Sequence, residues 1–245
     1  MKKDIVRLFE GYQHFREQYF GEDDSPFAQL VRGGQRPKVL MIACSDSRVD
    51  PALIMNCEPG ELFVIRNVAN LVPPYQVDQA YHGTSAALEF GVCVLGVSDI
   101  ILMGHTQCGG MQTLLEACPE KNGFLGKWLD LATEAKERTF SASEGLSQKE
   151  KVDLCGHYSL IHSLENLQTF PWIADRLNEG SLTLHAWNFD MTKGILEEYD
   201  PQTQVFRPLQ NPSFVPPPPP PIPQEEPSPD LAKKPEQQVL FQFME

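Results

Sequence analysis

The stretch PKVLMIACSDSRV (residues 37–49) decides the fold class, because an unbroken apolar run ends within it at a cysteine that polar residues follow. Similar apolar runs occupy residues 62–65 and 100–103. Short, continuously apolar runs of this kind are typical of strands buried on both faces of a parallel sheet. Residues 182–187 predict a further strand, and residues 195–199 predict a strand that pairs with it.

Segments with helical spacing of their apolar residues separate these runs. They cover the first 20 residues, residues 80–95, and parts of residues 124–138 and 148–167. Strands that alternate with helices predict an α/β domain with a mainly parallel β-sheet flanked by helices. In such sheets functional groups collect at the carboxyl ends of the strands. Cys44 and His105 each follow an apolar run, so we expect the chemistry at that edge.

The composition is that of a globular chain, with 245 residues, 41% hydrophobic residues and a formal net charge of −13. The negative charge argues against a nucleic-acid partner, because a polyanion would be repelled. No apolar run approaches the roughly 20 residues of a membrane span. The first 20 residues lack the apolar centre of a secretory signal. Six cysteines without such a signal predict reduced thiols and a cytoplasmic location.

The composition changes near Pro208. Of the 21 prolines, 12 lie between residues 208 and 235, and residues 216–221 are all proline. Such a stretch favours extended polyproline II rather than helix or interior strand. We therefore expect a domain over residues 1–207 and a proline-rich, disordered tail over residues 208–245 with an apolar tip at 239–244. Such a tail is either a passive appendage or a tethered peptide that binds a protein partner.

Two polar segments, CSDSR (residues 44–48) and HTQCGG (residues 105–110), carry candidate chemistry. Two thiolates and an imidazole, from Cys44, Cys108 and His105, are good zinc ligands and leave a fourth tetrahedral position free, as in catalytic zinc sites. Asp46 and Arg48 have the spacing for a forked ion pair. On spacing alone, ordinary core packing of these cysteines remains an equal alternative. The other cysteines, Cys57, Cys93, Cys118 and Cys155, are predicted to be packing or near-surface thiols, and the apolar neighbours of Cys93 favour its burial.

The identity of the residues in both segments adds to this interpretation. The two segments closely resemble the signature of the β-class carbonic anhydrases. The resemblance extends through PGELFVIRNVAN (residues 59–70), LVPPY (71–75) and ALEF (87–90). It covers roughly residues 9–209, with the motifs in the family's order.

The resemblance implies zinc-dependent, reversible hydration of carbon dioxide to bicarbonate and a proton. It implies one Zn²⁺ per subunit on Cys44, His105 and Cys108, with Asp46 and Arg48 as a catalytic pair. It also implies an N-terminal helical arm that wraps a partner subunit, giving an obligate dimer or a multiple of it. Family members attached to carbon-fixing compartments suggest recruitment through the tail.

The resemblance further implies a small substrate pocket. The residues that match its positions are Gln35, Phe63, Val68, Phe90 and Gly109. Phe90 departs from plant-type members, which often have tyrosine there, so any hydrogen bond from that hydroxyl is absent or supplied elsewhere.

The subgroup follows from a second set of positions. Bacterial members that bicarbonate switches off have tryptophan where this chain has Met41. Arg66 is present, but the matching tyrosine is not evident in Trp187-Asn188-Phe189. We therefore expect a plant-like, constitutively open site in which Asp46 stays off the zinc. Two other functions stay open: a related zinc hydrolase such as carbon disulfide hydrolase, and a catalytically silent zinc scaffold that recruits partners through its tail.

Overall fold

The computed structural model describes residues 2–20, 25–78, 80–116 and 122–209. The tail predicted at residues 208–245 therefore lies almost wholly outside the described residues, as does Cys118. The compact unit that contains the described residues ends at Leu209.

The strands of this unit form one sheet in the order β2-β1-β3-β4-β5-β6. They are β1 (Val39–Cys44), β2 (Leu62–Asn67), β3 (Asp99–His105), β4 (Thr183–Asp190), β5 (Ile195–Asp200) and β6 (Val205–Pro208). The first four are parallel to their neighbours, and β5 and β6 are added antiparallel. The predicted mainly parallel sheet is confirmed, including the pairing of residues 195–199 with the preceding strand.

Helices precede and connect the strands. They are α1 (Lys3–Tyr19), α2 (Pro26–Gly33), α3 (Pro51–Ile54), α4 (Gly83–Glu89), α5 (Gly109–Glu116), α6 (Phe124–Leu129), α7 (Thr133–Ala142), α8 (Gln148–Gln168) and α9 (Pro171–Asn178). The helix predicted at residues 80–95 begins at Gly83 and continues as a π-helical turn over Phe90–Val94. The predicted N-terminal helix is present as α1.

Both faces of the central strands are buried, which explains their continuous apolar runs. Leu40, Ile42 and Leu102 point into a core covered by α8 and α9, whose contributions include Leu160 and Ile173. The opposite face of β1 and β3 forms a smaller cluster with residues from the end of α3 and from β4.

A third apolar cluster lies at the carboxyl ends of β1 and β3. It contains Cys44 and Cys108 together with Met111 of α5 and Val152 and Cys155 of α8. The ligand cysteines are thus set into packed structure, whereas Ser45, Ser47 and Arg48 beside Cys44 are exposed. No helix in the described part of the chain is sufficiently long and apolar to traverse a bilayer.

Candidate metal centre

The three predicted ligands meet at one edge of the sheet. Cys44 ends β1 and His105 ends β3, and these strands are parallel neighbours. Cys108 stands one residue before α5. All three side chains are buried, and their ligand atoms lie within 4.8 Å of one another. No other cluster of this kind occurs among the residues that the structure describes.

The geometry of the donor atoms fits zinc. The two Sγ atoms are 4.0 Å apart, and two thiolates about 2.3 Å from a tetrahedral zinc would lie roughly 3.8 Å apart. The Nδ1 atom of His105 lies 2.9 Å from the carbonyl oxygen of Thr106. A carbonyl only accepts, so Nδ1 carries the proton and Nε2 has the free lone pair. Nε2 is buried and has no hydrogen-bond partner, as expected of a metal ligand.

Without metal, the hydrogen bond between the two thiols moves their pKa values in opposite directions. A hydrogen bond from Cys108 lowers the pKa of Cys44 to about 4. The same bond, together with burial, raises the pKa of the Cys108 thiol. Cys44 is therefore the thiolate of the metal-free site, and Cys108 loses its proton when a cation arrives.

Asp46 and Arg48 form the predicted pair. The Nε and Nη2 atoms of Arg48 donate to the two carboxylate oxygens of Asp46 at 2.9 and 2.7 Å. The backbone N–H of Arg48 adds a third bond at 3.0 Å. These bonds hold the pKa of the Asp46 carboxyl well below its usual range. Oδ2 of Asp46 lies 3.9 Å from Nε2 of His105, so the carboxylate stands beside the ligand group.

Arg66 fixes the loop that carries this pair, a role that sequence reasoning missed. Its guanidinium donates to the backbone carbonyl oxygens of Cys44, Asp46 and Val49 at distances between 2.8 and 3.1 Å. Its Nη1 atom also lies 3.0 Å from a carboxylate oxygen of Asp50. The motif that contains Arg66 was visible in the sequence, but its contacts depend on the pairing of β2 with β1.

Backbone strain is concentrated next to the ligands. Ala69, Asn70 and Gln107 have φ angles of 64°, 48° and 56°, a region that costs a non-glycine residue roughly 1–2 kcal/mol. Gly110 faces this segment closely, because a Cβ placed on it would lie 2.7 Å from the Cβ of Ala69. The two segments that flank the site are thus packed against each other with no space for a methyl group.

The predicted pocket residues divide into two groups. Gly109 directly follows Cys108, and Val68 directly follows β2, where Asn67 pairs with Cys44. Phe63, which pairs with Leu40, lies four residues before Asn67 along β2. It is therefore roughly 13 Å from the end of the strand that carries the metal ligands.

The second group lies at the amino end of the strands. Phe90 stacks against Phe63, with ring centroids 5.9 Å apart, and Gln35 is exposed before β1. One protomer therefore brings Val68 and Gly109 to the metal centre but not Gln35, Phe63 or Phe90.

Comparison with known proteins decides the family. The family model for carbonic anhydrase matches residues 39–196, which is more than half of the chain. A solved structure described as the β-carbonic anhydrase CcaA superposes with a TM-score of 0.79 at 36% identity, over 86% of this chain and 94% of that one. This chain belongs to the β-class carbonic anhydrases.

Curated relatives of this β-class carbonic anhydrase agree. A carbonic anhydrase of Synechocystis is 39% identical over 198 residues, which cover 80% of this chain and 71% of that protein. One of Pseudomonas aeruginosa is 38% identical over 205 residues, which cover 83% and 90%. These comparisons favour the carbonic anhydrase interpretation over both alternatives that the sequence left open.

The remaining cysteines and histidines of this β-class carbonic anhydrase have structural surroundings. The five cysteines that the structure describes are free thiols. Cys155 is buried, as expected for a packing residue, but the prediction that Cys93 is buried is wrong. Cys93 is exposed, whereas Val92 beside it in the π-helical turn is buried. His157 stacks on Phe206, with centroids 4.2 Å apart, and joins no metal cluster in the described chain.

Proposed function

We propose that this β-class carbonic anhydrase reversibly converts carbon dioxide and water to bicarbonate and a proton, with one Zn²⁺ per subunit on Cys44, His105 and Cys108. The observation that carries the proposal is the buried imidazole nitrogen without a partner, placed beside two thiols. Three protein ligands leave one tetrahedral position for water, as in other catalytic zinc sites.

Zinc, when bound, supplies hydroxide near neutral pH by lowering the pKa of water. Two thiolates neutralise the cation, so this effect is weaker than beside three neutral imidazoles, and the protein must orient the nucleophile well. Oδ2 of Asp46 would accept a hydrogen bond from the attacking water and so orient it towards carbon dioxide. Arg48 holds the Asp46 carboxylate in place, since it donates a hydrogen bond to each of its oxygens.

The open state is part of the proposal. Asp46 is held by Arg48 and Met41 occupies the position of the regulatory tryptophan, so Asp46 remains available to the nucleophile rather than to the metal. Activity then increases with pH through a single ionisation. A steep loss below about pH 8 that involves several protons would indicate the closed state instead.

The substrate pocket is completed by a second copy of the chain. Val68 and Gly109 line it beside the metal centre, whereas Gln35, Phe63 and Phe90 lie at the other end of the strands of the same protomer. A second protomer can bring these three to the pocket. The proposal therefore includes a dimer, or a multiple of it, as the active form.

Helix α1 is the arm that joins the two copies. None of its residues is buried in the single chain, and Phe9 and Tyr12 are 52% and 54% exposed. Aromatic residues on one face of an unpacked helix gain stability by covering another surface. Removal of residues 1–20 should yield monomers with little activity by light scattering and stopped-flow assay, whereas a fully active dimer would contradict this role.

The tail carries the remaining proposal, which rests on its composition. The proline run and the apolar tip at residues 239–244 suit recruitment of the enzyme by a protein partner, in the cytoplasm or at a carbon-fixing compartment. A chain that ends at Leu209 should keep full turnover in solution but lose its position in the cell. Unchanged assembly state, location and partners would exclude recruitment.

The central test is stopped-flow hydration of carbon dioxide as a function of pH, on protein of measured zinc content, with carbon disulfide hydrolysis assayed in parallel. Rapid hydration that requires zinc supports the proposal. Zinc-loaded protein that hydrolyses only carbon disulfide would identify the related hydrolase. Zinc-loaded protein without turnover on either substrate would identify a silent scaffold.

A further inference from the structure

The backbone of Gln107 is held from both sides, between the ligands His105 and Cys108. Its N–H donates to Oδ1 of Asp153 at 2.6 Å. Its carbonyl oxygen accepts from Nη2 of Arg48 at 3.3 Å. The turn between two metal ligands is thus connected directly to the arginine that holds Asp46.

Gln107 needs such support because of its backbone conformation. Its φ of 56° lies in the left-handed region, which a glutamine leaves readily when nothing opposes it. A return to negative φ would rotate the peptide that joins Gln107 to Cys108. That rotation would withdraw the carbonyl oxygen from Arg48 and displace the Cys108 side chain.

Asp153 is suited to oppose this change because it lies on rigid structure. It belongs to α8, whose first turn is closed by a capping box between Ser147 and Glu150. Its neighbours Val152 and Cys155 are buried in the apolar cluster that contains both ligand cysteines. The carboxylate is therefore anchored to the packing around the ligands, and hydrogen bonds to a charged acceptor are among the stronger ones.

We propose that Asp153 is a positioning residue that acts through the backbone of Gln107 on both the metal ligands and the Asp46–Arg48 pair. It touches neither substrate nor metal. It keeps Gln107 left-handed, so that Cys108 and the acceptor for Arg48 stay in place together. This role rests on the zinc site proposed above.

The test compares Asp153→Leu, which removes the acceptor, with Asp153→Asn, which keeps an oxygen at the same place. Glu165→Leu serves as the matched control, because Glu165 is an exposed acid on the same helix. The readouts are the rate of zinc release to a chromogenic chelator, the thiolate charge-transfer absorption of Co²⁺-loaded protein, and kcat/KM for carbon dioxide. The first two do not depend on activity.

We expect Asp153→Leu to release zinc about 10- to 100-fold faster than wild type and its kcat/KM to fall by about 10- to 100-fold, which is the usual effect of losing a residue that orients metal ligands. Its cobalt spectrum should shift. The zinc-release rate and the kcat/KM of Asp153→Asn and Glu165→Leu should stay within about threefold of wild type, which is less than the tenfold change that corresponds to 1.4 kcal/mol. Asp153→Leu with wild-type zinc release and spectrum would overturn the proposal. So would Asp153→Asn that fails as severely as Asp153→Leu, because the acceptor is then not what matters.

A second background tests the mechanism itself. In Gln107→Gly the left-handed conformation has no steric cost, so the effect of Asp153→Leu should shrink at least fivefold relative to its effect in wild type. An undiminished effect would overturn the role of the Gln107 backbone. If Asp153→Leu does not fold, Asp153→Ala in both backgrounds makes the same comparison. Wild-type protein that binds no zinc would instead remove the zinc site, and this proposal with it.

Discussion

Both carboxylate oxygens of Asp46 are occupied by Arg48, whose Nε and Nη2 atoms lie 2.9 and 2.7 Å away. A lysine in this place keeps the positive charge but lacks the planar fork. Substitution of Arg48 by lysine or glutamine therefore separates two effects of Arg48, the charge that lowers the pKa of Asp46 and the geometry that orients its carboxylate.

Arg48→Lys and Arg48→Gln should both lower kcat/KM by about 10- to 100-fold while zinc content stays near one per subunit. In Arg48→Gln the pKa of Asp46 rises towards its ordinary value of about 3.9. Asp46 then still loses its proton well below neutral pH, so the pH profile above pH 6 should be lower in height and unchanged in shape. A midpoint that moves with the substitution would show that Arg48 acts on ionisation instead.

Zinc binding near pH 7 should release about one proton per site from the two thiols, and ionisation of zinc-bound water would add to this number only at higher pH. The pKa of Cys44 is about 4 in the metal-free site, so this thiol is already ionised, whereas the raised pKa of Cys108 keeps its proton in place. Affinity for zinc should therefore fall about tenfold for each unit decrease in pH near pH 7, below the ionisation of zinc-bound water. Titration calorimetry at pH 7 in buffers of different ionisation enthalpy measures the number of protons that zinc binding releases. Two released protons would mean that Cys44 is not ionised beforehand.

The close packing of Gly110 on Ala69 makes a steric prediction. Gly110→Ala should lower stability by about 1–3 kcal/mol, since a Cβ at 2.7 Å from a Cβ fixed to the backbone forces one segment to move. Gly109→Ala is the control for stability, because nothing lies within 4 Å of its Cβ position. Urea unfolding of zinc-loaded protein compares the two, and equal midpoints would contradict the packing described here.

The hydrogen bonds from Arg66 to the loop carbonyls should contribute more to the free energy of unfolding than its ion pair with Asp50. Arg66→Met removes the donors to three backbone carbonyls, and we expect a loss of about 3 kcal/mol. Asp50→Asn removes only the ion pair between partly exposed groups, which is worth under about 1 kcal/mol. Denaturant unfolding gives both values. Equal losses would indicate that the ion pair, rather than the loop carbonyls, is the main contribution.

Much of the fold was predictable because the signals were local. The runs at residues 39–42 and 100–103 are continuously apolar, and the strands follow them. Helices α2 and α9 were missed although each begins with proline at its first position, at Pro26 and Pro171, a recognised start signal. Strand β6 was missed because it is short and exposed, and its Pro208 is tolerated only at such an edge.

The candidate site was predictable only as far as its motif extends. The ligands and the Asp46–Arg48 pair lie within two short segments whose residue identities are distinctive. The contact of Asp153 with Gln107 joins residues 46 positions apart and depends on how α8 packs against the end of β3. No periodicity or spacing marks Asp153, because an acid on an amphipathic helix is expected to face solvent. Cys93 illustrates the converse, because its apolar neighbours favour burial whereas its side chain is exposed.

Cys44 and Cys108 are 64 positions apart in the chain, and an ion bound to both ties them together. Such a tie restricts the unfolded chain as a covalent cross-link would, and a closed loop of that length corresponds to about 4 kcal/mol of lost chain entropy. A disulfide could provide the same restriction only in an oxidising compartment. A metal cross-link provides it among reduced thiols, so the ion that serves catalysis would also tie the end of β1 to the turn before α5.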